Sequence, residues 1–300
     1  MDLIIVSQII VFVVMIILFM ITLKFDKTPI SVKEMAIVAI LCVLTAVLSK
    51  VLVIKIPPTV PIFVIGFSAS ISITLGILFS PKLALIAGVV IDIIGLLLAM
   101  IVGESSQPFL GFTLTAMLSC YLPSLLIRVT KKQGTIVLRG LIITALIAAI
   151  SLAYFYLFNV SSISIDQQQN DLTDSLRYTI LASLVFISIL IIVINEITHK
   201  RFSTQSNMYV TPMQLTFIIL IVEIVCHIIL TSLWVNIMYG VPFVIGAATR
   251  IIKALLILPV NVAIIYLVLR YIPNEYKRHL IKEDTEELLL EQQDQQEKSY

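Results

Sequence analysis

LALIAGVVIDIIGLLLAMIVG, residues 83–103, runs without a polar break except for one carboxylate, Asp92, and follows Ser80-Pro81-Lys82. A bilayer's hydrocarbon core takes roughly 20 apolar residues per helix, so the stretch predicts a spanning helix that opens at a proline. A β-barrel strand would alternate apolar and polar residues over about ten positions, and this run does not alternate. One such helix makes the chain a membrane protein, and the question becomes how many others flank it.

Working outward on the same ruler gives about nine spans, at 3–23, 34–54, 62–80, 83–103, 109–128, 138–158, 178–197, 213–236 and 248–271. Pro29, Pro57-Pro58, Gln107-Pro108, Gly134, Pro212 and Pro273 mark their ends, as residues that interrupt helices should. The first span has no basic segment before it and no small-residue cleavage pattern after it, which predicts a spanning helix in place of a secretion signal. The fold class expected is therefore all-α and integral to the membrane.

Composition agrees. Of 300 residues, 59% are hydrophobic and 13% charged, where soluble domains carry about 25% charged residues. Mean hydropathy is +1.09, and a soluble fold would lack the polar surface to cover its core. The net charge of +2 is small, and the basic residues form short clusters between apolar runs, so nucleic acid is not expected as a partner. Cys42, Cys120 and Cys226 lie inside apolar runs without C-x-x-C pairing and read as packing residues. No metal or cofactor is expected.

Cytoplasmic connections between spans are enriched in Lys and Arg. With the N-terminus outside, the inward connections hold Lys24, Lys27 and Lys33, then Lys82, then Arg128, Lys131, Lys132 and Arg139, then Lys200 and Arg201, and finally Lys277, Arg278 and Lys282. The outward ones hold only Lys50, Lys55 and Arg177. The sequence thus predicts a multi-pass protein of the cell membrane with an external N-terminus and a cytoplasmic C-terminus. The polar connection at 159–177 reads as a solvated outer loop, and 273–300 as a Glu/Gln-rich cytoplasmic tail.

An ionisable side chain at mid-span costs about 2.5–3.5 kcal/mol on insertion scales and needs a partner or a wet cavity. Arg250 and Lys253, three apart, share a face at the start of the last helix, just after Tyr239, Pro242 and Phe243. They either bind an anionic aromatic ligand or extend toward lipid headgroups. Glu223, His227, Thr231 and Trp234 fall on one helical stripe. Trp234 reads as a ring-stacking wall or as an interfacial anchor, and Glu223 with His227 as a hydrogen-bonded couple or a proton relay. Asp92 is expected to bond to a neighbouring Ser or Thr, with the helix of Ser68, Ser70, Ser72 and Thr74 as one candidate. Thr115 and Ser119 share a face that serves packing or ligand contact. The chain has no phosphate-binding loop, no H-E-x-x-H and no G-x-S-x-G, so neither ATP hydrolysis by that route nor a hydrolase is expected.

Several stretches together resemble the folate-type S component of energy-coupling factor (ECF) transporters. They are Lys55-Ile56-Pro57-Pro58, Ile65-Gly66-Phe67, Ile91-Asp92-Ile93-Ile94-Gly95 and Leu110-Gly111-Phe112-Thr113-Leu114-Thr115-Ala116, then Leu233-Trp234 through Tyr239-Gly240-Val241-Pro242-Phe243 to Arg250-Ile251-Ile252-Lys253. The resemblance implies a six-helix core at 33–130 and 213–272. Three helices are added to it, one within 1–32 and a pair within 131–212, and the tail 273–300 follows. It implies a vitamin-binding subunit without enzymatic activity that takes a folate-like ligand. Its partners would be a transmembrane coupling subunit and two cytoplasmic ATPases. It further implies ligand contacts at Lys55, Phe67, Phe112, Thr113, Trp234, Tyr239, Phe243, Arg250 and Lys253, and docking through the small-residue stripe of Ala36, Ala39, Val43 and Ala46. Two departures stand out: Thr231-Ser232 replaces Asn-Thr before Leu-Trp, and His227 replaces an Asn one turn earlier. A non-transporting scaffold of the cell envelope with a similar helix layout remains the alternative.

Overall fold

The computed structural model describes residues 2–51, 53–56, 63–66, 68–103, 108–131, 134–159, 162–165, 168–171, 174–202 and 210–272. Ten α-helices are assigned among them: α1 (Asp2–Phe25), α2 (Val32–Val51), α3 (Ser68–Leu78), α4 (Pro81–Ile101), α5 (Leu110–Lys131), α6 (Thr135–Asn159), α7 (Asp174–Phe202), α8 (Pro212–Val222), α9 (Thr231–Tyr239) and α10 (Phe243–Tyr271). Residues Glu223–Leu230 between α8 and α9 wind as a π-helix, so Pro212–Tyr239 is one continuous rod. Among the described residues eight rods are long and apolar enough to cross a membrane. The chain is a multi-pass membrane protein.

Helix ends follow local chemistry. Pro81 and Pro212 occupy the first turns of α4 and α8, where the missing N–H costs nothing. Thr211 and Gln214 close a reciprocal capping box at the start of α8, satisfying donors the helix leaves open. At the other end of that rod Gly240 takes φ 68°, a left-handed stop that favours glycine. Pro242 then opens α10.

The third predicted span, 62–80, is corrected. Phe63–Gly66 (β2) is a strand paired antiparallel with Val53–Ile56 (β1), with Val53 opposite Gly66 and Ile56 opposite Phe63. Only Ser68–Leu78 is helical. At 1.5 Å per residue α3 is roughly 16 Å long, about half a hydrocarbon core. Val53, Ile54, Phe63, Val64 and Ile65 favour strands, but a short apolar run carries no periodicity that separates strand from helix. The second span likewise stops at Val51 and not at 54. The loop expected at 159–177 contains a second hairpin, Ser162–Ile165 (β3) with Gln168–Asp171 (β4). The tail from Pro273 lies outside the described residues.

Burial ranks the rods. Within its most apolar window α5 has 61% of residues buried, and α1 has 6%, so α5 is central and α1 peripheral. α5 packs on α3, α4 and α8. Small residues allow these helices to approach closely: a Cβ at Gly76 would lie 2.0 Å from the Cys120 carbonyl oxygen, and one at Gly88 2.5 Å from Met117 Cα. Helix α1 lies along α4, α5 and α9, with Thr22 Oγ1 donating to Tyr121 Oη at 3.1 Å. Where α1 gives way to α2, Asp26 accepts from the Thr28 hydroxyl at 2.5 Å and from the Lys82 amide at 3.0 Å. Helices α6 and α7 pack against α8 and α10. Arg139 pairs with Glu196 at 2.6 Å, and Thr216 donates to Asn195 at 2.8 Å. α1 and the α6–α7 pair therefore pack against different helices of the bundle.

Candidate functional site

Where α2 and α4 end and α5 begins lie two adjoining chambers that share part of their lining. The end chamber, about 290 Å³, is lined by residues that include Ser49, Lys50, Asp92, Phe109, Phe112 and Tyr239. The deeper chamber, about 260 Å³, reaches Thr45, Ser72, Ser119, His227 and Thr231. Ser49, Ile91, Phe112 and Ala116 line both. Concave space of this size, with an aromatic wall and a few convergent polar groups, is what a small-molecule site requires.

The aromatic wall is built on α5. Phe109 meets Phe112 edge-on, with centroids 6.0 Å apart and planes at 72°, and meets Trp234 at 5.7 Å. Trp234 is buried, and its Nε1 donates to Thr115 Oγ1 at 3.0 Å. Gly111 makes the approach possible, because a Cβ there would lie 2.6 Å from Trp234 Cδ2. Val11 of α1 joins the same cluster. Trp234 therefore stands behind the chamber, braced by Phe109 and Thr115, while Phe112 offers its ring to the cavity.

The polar groups come from six elements, α2, α3, α4, α5, the π-helical segment and α9. Thr113 Oγ1 donates to Asp92 Oδ2 at 2.7 Å, so the partner of Asp92 is on α5 and not on α3. That bond pins the carboxyl at the chamber wall. Ser49 and Lys50 come from the last turn of α2. His227 and Thr231 come from the π-helical segment and the first residue of α9. The wider π turn breaks the single stripe expected of Glu223, His227, Thr231 and Trp234 and turns these side chains toward different neighbours. π turns recur at functional sites.

Glu223 is buried and accepts from Asn261 Nδ2 at 3.5 Å. Asn261 Oδ1 in turn accepts from Ser70 Oγ at 2.7 Å. Glu223 is thus coupled to α10 and α3, where the sequence suggested His227 as its partner. Lys253 interacts electrostatically with Glu223 and with Arg250. Arg250 donates from Nη1 to the Gly246 carbonyl at 2.8 Å and to Ser232 Oγ at 3.3 Å. Neither Arg250 nor Lys253 is among the residues lining the two chambers.

Of the other expected contacts, Phe112 and Tyr239 line the cavity, and Thr113 supports it through Asp92. Phe243 is an exposed residue at the start of α10. The Lys55 side chain and Phe67 lie outside the described residues. On α2, Ala36, Ala39 and Val43 are exposed, whereas Ala46 is buried in the bundle. The expected docking stripe is therefore three residues long on the surface.

Sequence reasoning missed Lys50, Ser49 and Phe109 as lining residues, whereas His227 stood out there as a departure from the S-component pattern. Lys50 was visible only as an outward charge, and Phe109 only as the residue after a helix-breaking proline. Among the described residues no group of three or more His, Cys, Asp or Glu is placed to hold a metal.

No family model matches the chain, and no curated protein matches it. Among solved structures, the crystal structure of FolT bound with folic acid is similar, with 18% sequence identity and a TM-score of 0.45, covering 80% of this chain and 95% of that chain.

Proposed function

We propose that this chain is the membrane-embedded vitamin-binding subunit of an ECF-type importer, with folate the leading ligand. The observation that carries the proposal is the two-chambered cavity lined by Phe112, Asp92, Lys50, Tyr239 and His227. A lipid-immersed bundle has no reason to line a hollow with hydroxyls, a carboxyl and an ammonium group unless something polar enters it. The motif series of the S-component resemblance, which includes Asp92, Phe112 and Trp234, supports the same reading. In it the ring of the ligand stacks on Phe112 and its carboxylate meets Lys50. Arg250 and Lys253 act at one remove, through Ser232 and Glu223. The cavity opens outward in the topology read from the lysine pattern, the exposed Ala36, Ala39 and Val43 face the coupling subunit, and the ATPases supply the energy. The chain itself binds the ligand and carries out no catalysis.

Two departures from the folate-type pattern, His227 and Thr231, lie on the lining. They favour, as a second reading, an S component for a different ring vitamin. Titrating the purified chain with folic acid, thiamine and riboflavin, and following the fluorescence of Trp234, the sole tryptophan, tests both. Saturable change with one of the three is the expected result. If none binds, the importer reading fails and the envelope scaffold replaces it.

A further inference from the structure

Helix α1 meets the bundle along a single narrow seam. Ser7, Val11, Met15, Leu18 and Thr22 recur every three or four residues as buried or half-buried positions, with Asp26 buried just past the helix end. Apart from Gln8, every other side chain of α1 from Leu3 onward is exposed. That spacing is one face of a helix, and the remaining faces look into lipid. Acyl chains are as apolar as α1 itself, so close packing and polar contacts must hold it to its neighbours.

The polar contacts sit at one end. Thr22 Oγ1 donates to Tyr121 Oη at 3.1 Å, and Asp26 accepts from the Lys82 amide at 3.0 Å. Together they fix the rotation and axial register of α1 on α4 and α5. Val11 lies about four turns away, roughly 22 Å at 1.5 Å per residue, and there the seam meets the aromatic wall. Among the described residues Val11 is the only apolar side chain of α1 that is fully buried, at 3% exposure. It shares a cluster with Phe109, Leu114 and Trp234, and the half-buried Met15 packs against the same cluster. Phe109 lines the end chamber and meets Phe112, which lines both chambers. No residue of α1 lines either chamber. The helix therefore touches the wall of the site without reaching the space a ligand would fill.

We infer that α1 is a brace for the binding site, in which Val11 and Met15 hold the Phe109–Trp234 pair in place and so position Phe112 without touching the ligand. The inference rests on the proposed function and gives a positioning role to a helix outside the six-helix core. A wall that is rigid before the ligand arrives loses less freedom on binding. Close-packed protein is a firmer backing for it than fluid acyl chains.

The test uses the full chain in lipid nanodiscs and two readouts. One is the affinity for whichever of folic acid, thiamine and riboflavin the wild type binds. The other, without ligand, is the nanosecond anisotropy decay of Trp234, the sole tryptophan. Val11→Ala should weaken binding about three- to thirtyfold, within the span of couplings between residues in contact, and should give Trp234 a faster decay component. Val11→Ile should stay close to the wild type in both. Ile10→Ala, on the lipid-facing side of the same helix, should change neither. Thr22→Val removes the bond to Tyr121 while Asp26 still anchors the register; it should lower the melting midpoint and leave both readouts near the wild-type values. If Val11→Ala fails to fold, Met15→Ala is measured in its place against the same criteria. Either readout unmoved in Val11→Ala, or an equal loss in Thr22→Val, overturns the brace and leaves the vitamin-binding reading intact. A wild type that binds none of the three compounds overturns that reading and the brace with it.

Discussion

Replacing Gly76 by alanine adds one methyl group at the closest approach made by any described glycine. The added Cβ would sit 2.0 Å from the Cys120 carbonyl oxygen and 3.0 Å from Pro123 Cβ, whereas ordinary contact begins near 3.4 Å. The obstacle is backbone, which no rotamer change can move, so α3 and α5 must separate by on the order of 1 Å. A gap of that size forfeits a quarter to a half of each dispersion contact across it. Ile73, Leu75 and Ile77 are fully buried on α3 and lose the most. Overpacking of this kind costs about 1–3 kcal/mol, against which the better helix propensity of alanine returns about 1 kcal/mol. Because the obstacle is backbone the cost lies at the upper end, leaving about 2 kcal/mol, so thermal unfolding in detergent, read by size-exclusion, should fall by about 4–8 °C, at about 2–4 °C per kcal/mol. Gly140→Ala is the control, because nothing lies within 4 Å of its Cβ position; its midpoint should hold or rise. If Gly76→Ala melts with the wild type, the close α3–α5 approach is wrong, and so is the cavity those helices help to frame.

Further outcomes follow from individual contacts. Gly88→Ala, whose Cβ would lie 2.5 Å from Met117 Cα, should behave like Gly76→Ala by the same measurement. Trp234, buried beside Phe109, should emit at short wavelength and resist quenching by iodide; emission typical of exposed indole would refute its placement. For Asp26, burial pushes its carboxyl up, but hydrogen bonds from Thr28 and the Lys82 amide, with the Lys82 charge, outweigh it and hold the group below the usual carboxylate value. A carboxyl lowered in the folded state contributes stability that is present above its unfolded pKa and lost as pH falls through the folded one. Asp26→Asn should therefore lower the melting midpoint near pH 7, with the difference closing below about pH 4; a difference that grows on acidification would contradict this. The Arg139–Glu196 pair is largely exposed, so a double-mutant cycle should return no more than about 1 kcal/mol.

Hydropathy located the eight spanning rods found among the described residues, because a bilayer demands long apolar runs and prolines mark where they stop. The length of α3 was not legible: Phe63, Val64 and Ile65 are apolar in either a strand or a helix, and only pairing with Val53–Ile56 decides between them. Nor was the π segment, since Glu223 and His227 at i and i+4 look like an α-helical couple until the backbone widens between them. Phe112 and Tyr239, expected through the S-component resemblance, do line the cavity. Lys50 was not legible, because its relevance lies in what neighbouring helices bring next to it. Arg250 and Lys253 drew attention by charge, and the fold gives Arg250 the Gly246 carbonyl and Ser232 as partners.

Ala116 lines both chambers, so a phenyl ring placed there would fill the cavity at its waist. Equilibrium binding of radiolabelled folic acid to nanodisc-reconstituted Ala116→Phe and wild type, both checked for the same elution profile, therefore addresses the cavity itself. Saturable binding at one ligand per wild-type chain, abolished in Ala116→Phe, is the expected result. Equal binding to both proteins, or none to the wild type, would contradict a vitamin site between α2, α4 and α5.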